Sequence, residues 1–260
     1  MSRPFSLILG GTKGLGRCLA IESLRRGITP LITGRTTDVA MEDPELADAL
    51  FRKLDLSDPE VVNSAARMYE FLGRGDMVPP FSYVFWNAGI FLRKPLTDCT
   101  AEEIARMTAV HFTGPLAVLA AVHRVQKTIN PLLANAPGAP YHLVTVASTS
   151  SWKLRENETV YCALKAAKAH FTRNFAVELL RDLPGSKVTL VNPGGIATPD
   201  FWKDAGQDTS RFMDPEELAR FIWKYVGTQR SGYSELQIPR TRDGDLNPLV
   251  GGIPPEQPGI

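Results

Sequence analysis

Six apolar runs of strand length, separated by segments of helical pattern, restrict this chain more than any other feature. They are SLILG (6–10), TPLITG (29–34), FSYVFW (81–86), YHLVTVAS (141–148), KVTLVN (187–192) and ELQIP (235–239). A strand that is apolar at consecutive positions buries both faces, and parallel strands are joined through crossover helices. The pattern predicts an α/β fold: a doubly wound parallel sheet with helices on both faces. The helices are expected at Leu15–Arg26, Pro59–Leu72, Ala101–Thr128, Glu158–Leu183 and Pro215–Val226. Ser57 or Asp58 can cap the second of these, with Pro59 in its first turn. In such a sheet the ligands bind at the carboxyl ends of the strands, so functional residues are expected just after them.

The 260 residues are enough for one large domain, expected over 1–240, with 241–260 as a tail. That tail, NPLVGGIPPEQPGI at its end, is too rich in Pro and Gly for regular structure; it is read as loose or laid on a neighbouring surface. Lys and Arg number 29 and Asp and Glu 28, so a net charge of +1 gives no reason to expect nucleic acid or a membrane surface. The opening MSRPFSLILGG has an apolar run too short for a signal or a spanning helix, and a cytoplasmic protein is expected. Cys18, Cys99 and Cys162 are scattered, without a metal-ligand spacing, and read as reduced, mostly buried thiols; no metal is expected.

The first run ends in LILGGTKGLGR, where Gly10, Gly14 and Gly16 are spaced GxxxGxG before a helix. Glycines at this point free backbone N–H groups and the positive helix end for an anion, so Gly10, Thr12, Lys13, Gly14, Leu15 and Gly16 are expected to cradle a pyrophosphate in a Rossmann-like fold. NAD enzymes tend to carry an acid at the end of the second strand for the ribose hydroxyl; here Gly34-Arg35 stands there. Arg35 and Lys13 together suit a 2′-phosphate, so NADP(H) is the expected cofactor.

Further strand-end motifs follow in order: Asp55-Leu56-Ser57, Asn87-Ala88-Gly89, Ser148, Tyr161 with Lys165, and Pro193-Gly194 through Thr198. By this ordered set, over roughly residues 5 to 240, the sequence resembles the short-chain dehydrogenase/reductase family. The resemblance implies that Asp55 and Leu56 flank the adenine and that Asn87, Ala88 and Gly89 support the sheet beside the cofactor. It implies too that Pro193, Gly194, Ile196 and Thr198 hold the nicotinamide end.

Tyr161 and Lys165 are four apart on an expected helix and face the same way. Bringing a phenol from about 10 to about 7 needs roughly 4 kcal/mol of phenolate stabilisation, for which a nearby ammonium and a cationic nicotinamide have the right sign. Ser148, thirteen residues before Tyr161, is placed to hydrogen-bond the substrate oxygen, and Lys165 also to hold the ribose hydroxyls. Where the family has an asparagine in a V-N-x-x-G context, this chain has Val110-His111-Phe112-Thr113-Gly114. His111 is a candidate to order a relay water or to titrate; a packed neutral imidazole is the alternative.

These residues predict an NADPH-dependent carbonyl reductase, acting on a ketone or, in reverse, an alcohol. Phe91, Trp152, Phe201 and Trp202 are expected as a substrate wall suited to a bulky apolar or aromatic molecule. Asp200 to Met213 reads as a closing loop. The alternatives are a dehydratase or epimerase on the same fold, or a noncatalytic NADP-binding regulator. The resemblance implies a homodimer or homotetramer built on the helices from Ala101 and Glu158, through Ile104, Val118, Val122, Phe171 and Phe175.

Overall fold

The computed structural model describes residues 4–73, 80–128, 138–203, 205–239 and 249–251. In chain order the strands and helices are β1 (Phe5–Leu9), α1 (Gly14–Arg25), β2 (Thr29–Gly34), α2 (Asp38–Met41), β3 (Leu50–Lys53), α3 (Pro59–Gly73), β4 (Phe81–Trp86) and α4 (Ala101–Thr108). After these come α5 (Gly114–Thr128), β5 (His142–Val146), α6 (Thr159–Asp182), β6 (Lys187–Pro193), α7 (Pro199–Trp202), α8 (Pro215–Thr228), β7 (Tyr233–Ile238) and β8 (Leu249–Gly251). The sheet order is β3-β2-β1-β4-β5-β6-β7-β8, parallel throughout except for the last pair. The order reverses direction between β1 and β4, which opens a crevice above their carboxyl ends.

Alternation along each strand decides which helices cover which face. Leu7, Leu9, Trp86 and Leu143 turn to one side and bury against Val62, Val118, Val122, Phe175 and Leu179 from α3, α5 and α6. Ile8, Ile32, Phe85 and Val144 turn to the other and meet Leu19 of α1 with Leu218, Ile222 and Trp223 of α8. Trp223 fixes that second layer, its indole Nε1 donating to Leu19 O at 3.0 Å and its ring 5.0 Å from that of Phe85.

Two strands lie outside the sequence expectation. The short β3, LFRK, pairs on one side only and carries just two apolar residues, too few to read as buried on both faces. β8 corrects the expectation of an irregular tail: Leu249–Gly251 adds an antiparallel edge along β7. A Pro- and Gly-rich segment can supply three edge residues, because an edge strand needs backbone pairing on one side only. The remainder of the expected tail lies outside the described residues.

The helix expected over Ala101–Thr128 is interrupted. A π-helical turn, Ala109–Thr113, joins α4 to α5 and carries His111. Just beyond it the helix crosses Leu56 at backbone contact; a Cβ added to Gly114 would meet Leu56 O at 2.4 Å. The 28-residue stretch is long and apolar enough to cross a membrane by composition, yet Val118, Leu119 and Val122 sit fully within the core. Val118, Val122 and Phe175 are therefore committed to the chain's own interior rather than to an assembly face. Of the cysteines only Cys18 is buried; Cys99 and Cys162 are partly exposed.

Candidate active site

A cleft of about 630 Å³ opens above β1 and β4, within the range of small-ligand sites. Its floor is the glycine turn. Gly10 and Gly11 both donate to Thr33 O, at 3.1 and 2.9 Å, and Asn87 Nδ2 closes on Gly10 O at 2.8 Å. Gly10 (φ 77°) and Gly14 (φ 52°) occupy the left-handed region, which favours glycine. A Cβ on Gly10 would fall 2.7 Å from Ala88 Cα, and one on Gly16 2.0 Å from Gly10 O. Gly16 thus acts beneath the cleft, by letting α1 pack on the turn, and is not one of its lining residues. The first turn of α1 carries no acid, so its positive end faces the cleft unopposed.

Thr12, Lys13, Leu15, Arg35, Asp55, Leu56, Ala88 and Gly89 line the cleft, and so do Pro193, Gly194, Ile196 and Thr198. Lys13 Nζ is engaged by Asp200 Oδ2 at 2.8 Å. Asp55 accepts from the backbone N and hydroxyl of Ser57, and its carboxyl is held below the usual range by Ser57 and by the charges of Arg35 and Arg106, although burial opposes this. Arg106, from α4, is a lining residue that no sequence motif indicated. Glu158 is another. Their signal was weak because charged residues before or after an element usually face solvent.

Residues spaced i, i+4 and i+7 on α6 bring Tyr161, Lys165 and Lys168 to one face, and all three are buried. Lys165 Nζ donates to Ala147 O at 3.0 Å and stands 5.5 Å from the Tyr161 ring centre. Ser148 caps the short turn Thr149–Ser151, its Oγ accepting from Ser150 N at 3.0 Å, and it lies beside the phenol, pulling its pKa down. Burial outweighs that pull and drives the Tyr161 pKa up, the reverse of the shift toward neutrality expected from the sequence. Burial also brings the Lys165 pKa down to about 7.

His111 is fully buried behind Gly89, whose added Cβ would lie 2.9 Å from the imidazole Cε1. Its Nε2 is 2.6 Å from Ile90 O and 3.0 Å from Ile90 N. Ile90 N–H donates to Nε2, and the role of that nitrogen toward Ile90 O is set by the ring's tautomer. Burial and the charges of Lys165 and Lys168 push its pKa well down, so it stays neutral and does not titrate in the ordinary histidine range.

Above Tyr161 the aromatic rings close in. Phe91 meets Tyr161 edge-on at 4.9 Å, Trp202 lies 4.7 Å from Phe91, and Phe201 5.0 Å from Trp202. Trp202 Nε1 donates to Ile196 O at 2.8 Å, which fastens α7 over the strand end. Trp152 does not join this wall. The turn after Ser148 carries it outward, and it is 47% exposed with Leu154 beyond it.

Residues 5–209 match the family described as short chain dehydrogenase. The chain belongs to the short-chain dehydrogenase family. By that membership it is an oxidoreductase. An uncharacterised oxidoreductase of Staphylococcus saprophyticus is 25% identical over 82% of this chain and 87% of its own length. A 1-deoxy-11-beta-hydroxypentalenate dehydrogenase of Streptomyces exfoliatus is 26% identical over 86% of this chain and 80% of that one. Among solved structures, a short-chain dehydrogenase of Sphingobium yanoikuyae in complex with NADPH shares the fold, with a TM-score of 0.72, 21% identity, and coverage of 89% of this chain and 87% of that one.

Proposed function

We propose that this chain is an NADPH-dependent carbonyl reductase acting on a bulky apolar or aromatic carbonyl compound. The observation that carries the reading is Tyr161: a buried phenol beside Ser148 and Lys165, covered by Phe91, Phe201 and Trp202.

The residues fit a dinucleotide. Gly10 and Gly14 take the left-handed conformation that shapes the turn, and the acid-free start of α1 offers its N–H groups to a pyrophosphate. Arg35 at the end of β2, with Lys13, favours the 2′-phosphorylated form, in keeping with the NADPH held by the Sphingobium yanoikuyae relative. NADPH, when bound, supplies the hydride. The chain supplies the rest. Burial keeps the proton on Tyr161, the form that a reduction consumes, and Tyr161 gives it to the carbonyl oxygen. Ser148 donates its hydroxyl to the same oxygen, and the positive charge of Lys165 offsets the phenolate that is left. The aromatic wall excludes water and presents ring faces and edges to an apolar substrate.

The test is NADPH oxidation against a panel of aryl ketones, small aliphatic ketones and aldehydes. Aryl ketones should turn over fastest, and Tyr161→Phe should abolish most turnover while leaving NADPH binding nearly intact. NADPH binding without oxidation by any member of the panel would favour a noncatalytic regulator. For assembly, a homodimer or homotetramer in the cytoplasm is proposed, and light scattering near the 28.6 kDa of one chain would reject the oligomer.

A further inference from the structure

The segment between Ser148 and Tyr161 is oriented against its own hydrophobicity. Leu154 is 100% exposed and Trp152 half-exposed, whereas Arg155, the next residue, lines the cleft. Leaving a leucine wholly in water while its charged neighbour faces the active site is the reverse of what apolar burial favours. Polar contacts hold the segment instead. At one end Ser151 Oγ donates to Lys165 O at 3.1 Å, and at the other Asn157 O accepts from Lys94 N at 2.7 Å. Lys94 is itself held, its Nζ lying 2.7 and 3.0 Å from the two carboxylate oxygens of Glu103, in the capping box that begins α4. Asn157, at φ 62°, is the one non-glycine residue in the left-handed region among the described residues. Asparagine tolerates that conformation, yet it is sparsely populated and such residues gather at ligand sites. Here it stands between two residues of the cleft lining, Arg155 and Glu158.

Arg155 is placed but has no partner. Among the described residues its guanidinium makes no hydrogen bond and no ion pair. Glu158, the acid nearest it in sequence in the lining, is met by the charge of Arg93 as well as by that of Arg155. Most other cations of the cleft are occupied: Asp200 holds Lys13 and feels Lys203, Ala147 O takes Lys165, and Arg35 and Arg106 both act on Asp55. The charge of Arg155 acts on Tyr161, the residue that Phe91 and Phe201 cover. A guanidinium presents N–H donors in a planar fork that matches the two oxygens of a carboxylate. Glu158 beside it disfavours a dianion such as phosphate and leaves room for one negative charge.

We propose that Arg155 determines substrate specificity and that the substrate is a keto acid: an aromatic or apolar carbonyl compound whose carboxylate is held by the Arg155 guanidinium while its body lies against Phe91, Phe201 and Trp202. The inference rests on the reading of the site as that of a carbonyl reductase. A packing role does not account for the segment, because packing would turn Leu154 to the aromatic wall and leave Arg155 in water.

The probes are benzoylformate and benzoylpropionate, each beside its methyl ester, with NADPH oxidation followed in the full chain. The acid of better-fitting length should exceed its ester in kcat/KM at least about tenfold at low salt, chiefly through KM, and the gap should narrow as salt rises. Arg155→Met should bring that ratio to about one, and Arg155→Lys should keep part of it, since the charge remains while the fork is lost. A merely structural Arg155 would lower acid and ester together and leave the ratio standing. Calorimetry gives a second readout. Phenylacetate, which has no ketone to reduce, should bind the NADP-loaded wild type and bind Arg155→Met at least about tenfold more weakly. Esters that match their acids in the wild type overturn the proposal, and so does an acid-to-ester ratio that survives Arg155→Met. If no probe oxidises NADPH, the carbonyl-reductase reading falls and phenylacetate decides the carboxylate site alone: weaker binding to Arg155→Met upholds it, and equal or absent binding overturns it.

Discussion

Lys13 and Asp200 meet at 2.8 Å across the mouth of the cleft, joining the glycine turn to the helix that carries Phe201 and Trp202. Both side chains are more than half exposed, so the pair is a weak, salt-sensitive tether. Its effect is on cofactor choice. While Asp200 holds Lys13, Arg35 is the main cation left for a 2′-phosphate, and NADPH must compete with a carboxylate for the second.

From this competition, Asp200→Asn should tighten NADPH binding about threefold at low salt and leave NADH unchanged, with the gain fading at high salt. Arg35→Asp should reverse the preference for NADPH, which is expected to be at least about tenfold, or roughly 1.4 kcal/mol. Calorimetry on the three proteins with both nucleotides checks this. Equal dissociation constants in the wild type would remove both cations from the account.

Stability should rise with pH just above neutrality. Burial lowers the Lys165 pKa to about 7 in the folded chain, whereas an unfolded lysine titrates near about 10.4. Between those values the unfolded chain binds the extra proton, so raising the pH favours the folded state. His111, His123 and His142 are all pushed below the usual range and finish titrating before this window. Cys18 and Cys162 are pushed up and begin to oppose the rise near the top of this window, where unfolded thiols ionise, and Tyr161 does so only at higher pH. Urea unfolding between about pH 7 and 8.5 should therefore gain about 2 kcal/mol from Lys165 alone. Lys165→Met should reduce that slope without abolishing it, because Lys168 is also pushed well below the usual lysine range; an equal slope in the variant would place the effect elsewhere.

The two tryptophans expected at the substrate wall should behave in opposite ways. Trp202 packs on Phe91, Phe201 and Phe212 and donates to Ile196 O, so Trp202→Ala should lower kcat/KM for an aryl ketone at least about tenfold and spare a small aliphatic one. Trp152, outside the cleft, should be replaceable by alanine with unchanged kinetics for both. A loss in the second variant would mean that the turn after Ser148 closes inward on the substrate.

The difference between those tryptophans marks what a sequence can disclose. Strands buried on both faces, such as FSYVFW, carry their environment in their composition, and residues that follow such strands inherit a place at the cleft. Gly10, Asn87, Ser148 and Thr198 were legible for that reason. Trp152 failed because a single turn, Thr149–Ser151, sets its direction, and turn geometry is not encoded in the neighbouring hydrophobic pattern. The π turn around His111 was hidden likewise, since apolar periodicity runs through it unbroken. Lys168 was hidden for the opposite reason: on a helix, one lysine among others reads as a solvated charge, and only its burial against Trp86 and Ala88 distinguishes it.

His111 gives the last prediction. Its Nε2 meets Ile90 N–H and lies 2.6 Å from Ile90 O, and its Nδ1 is buried without a partner among the described residues. Asparagine carries both an amide N–H for Ile90 O and a carbonyl for Ile90 N–H. His111→Asn should therefore keep the fold and most of the turnover. His111→Ala leaves the Ile90 N–H and carbonyl unmet, which should cost about 1 to 3 kcal/mol of stability, and loosens the backbone beside Gly89 in the cleft lining, which should lower turnover per folded molecule. Because the imidazole is held neutral, the pH profile of the wild type should contain no histidine ionisation for either variant to remove. Turnover against pH, measured with urea unfolding for all three proteins, checks each part. A step near the usual histidine value that vanishes in both variants would show instead that His111 gains a proton during turnover, and the ring would then be a proton carrier rather than a fixed hydrogen-bonding group.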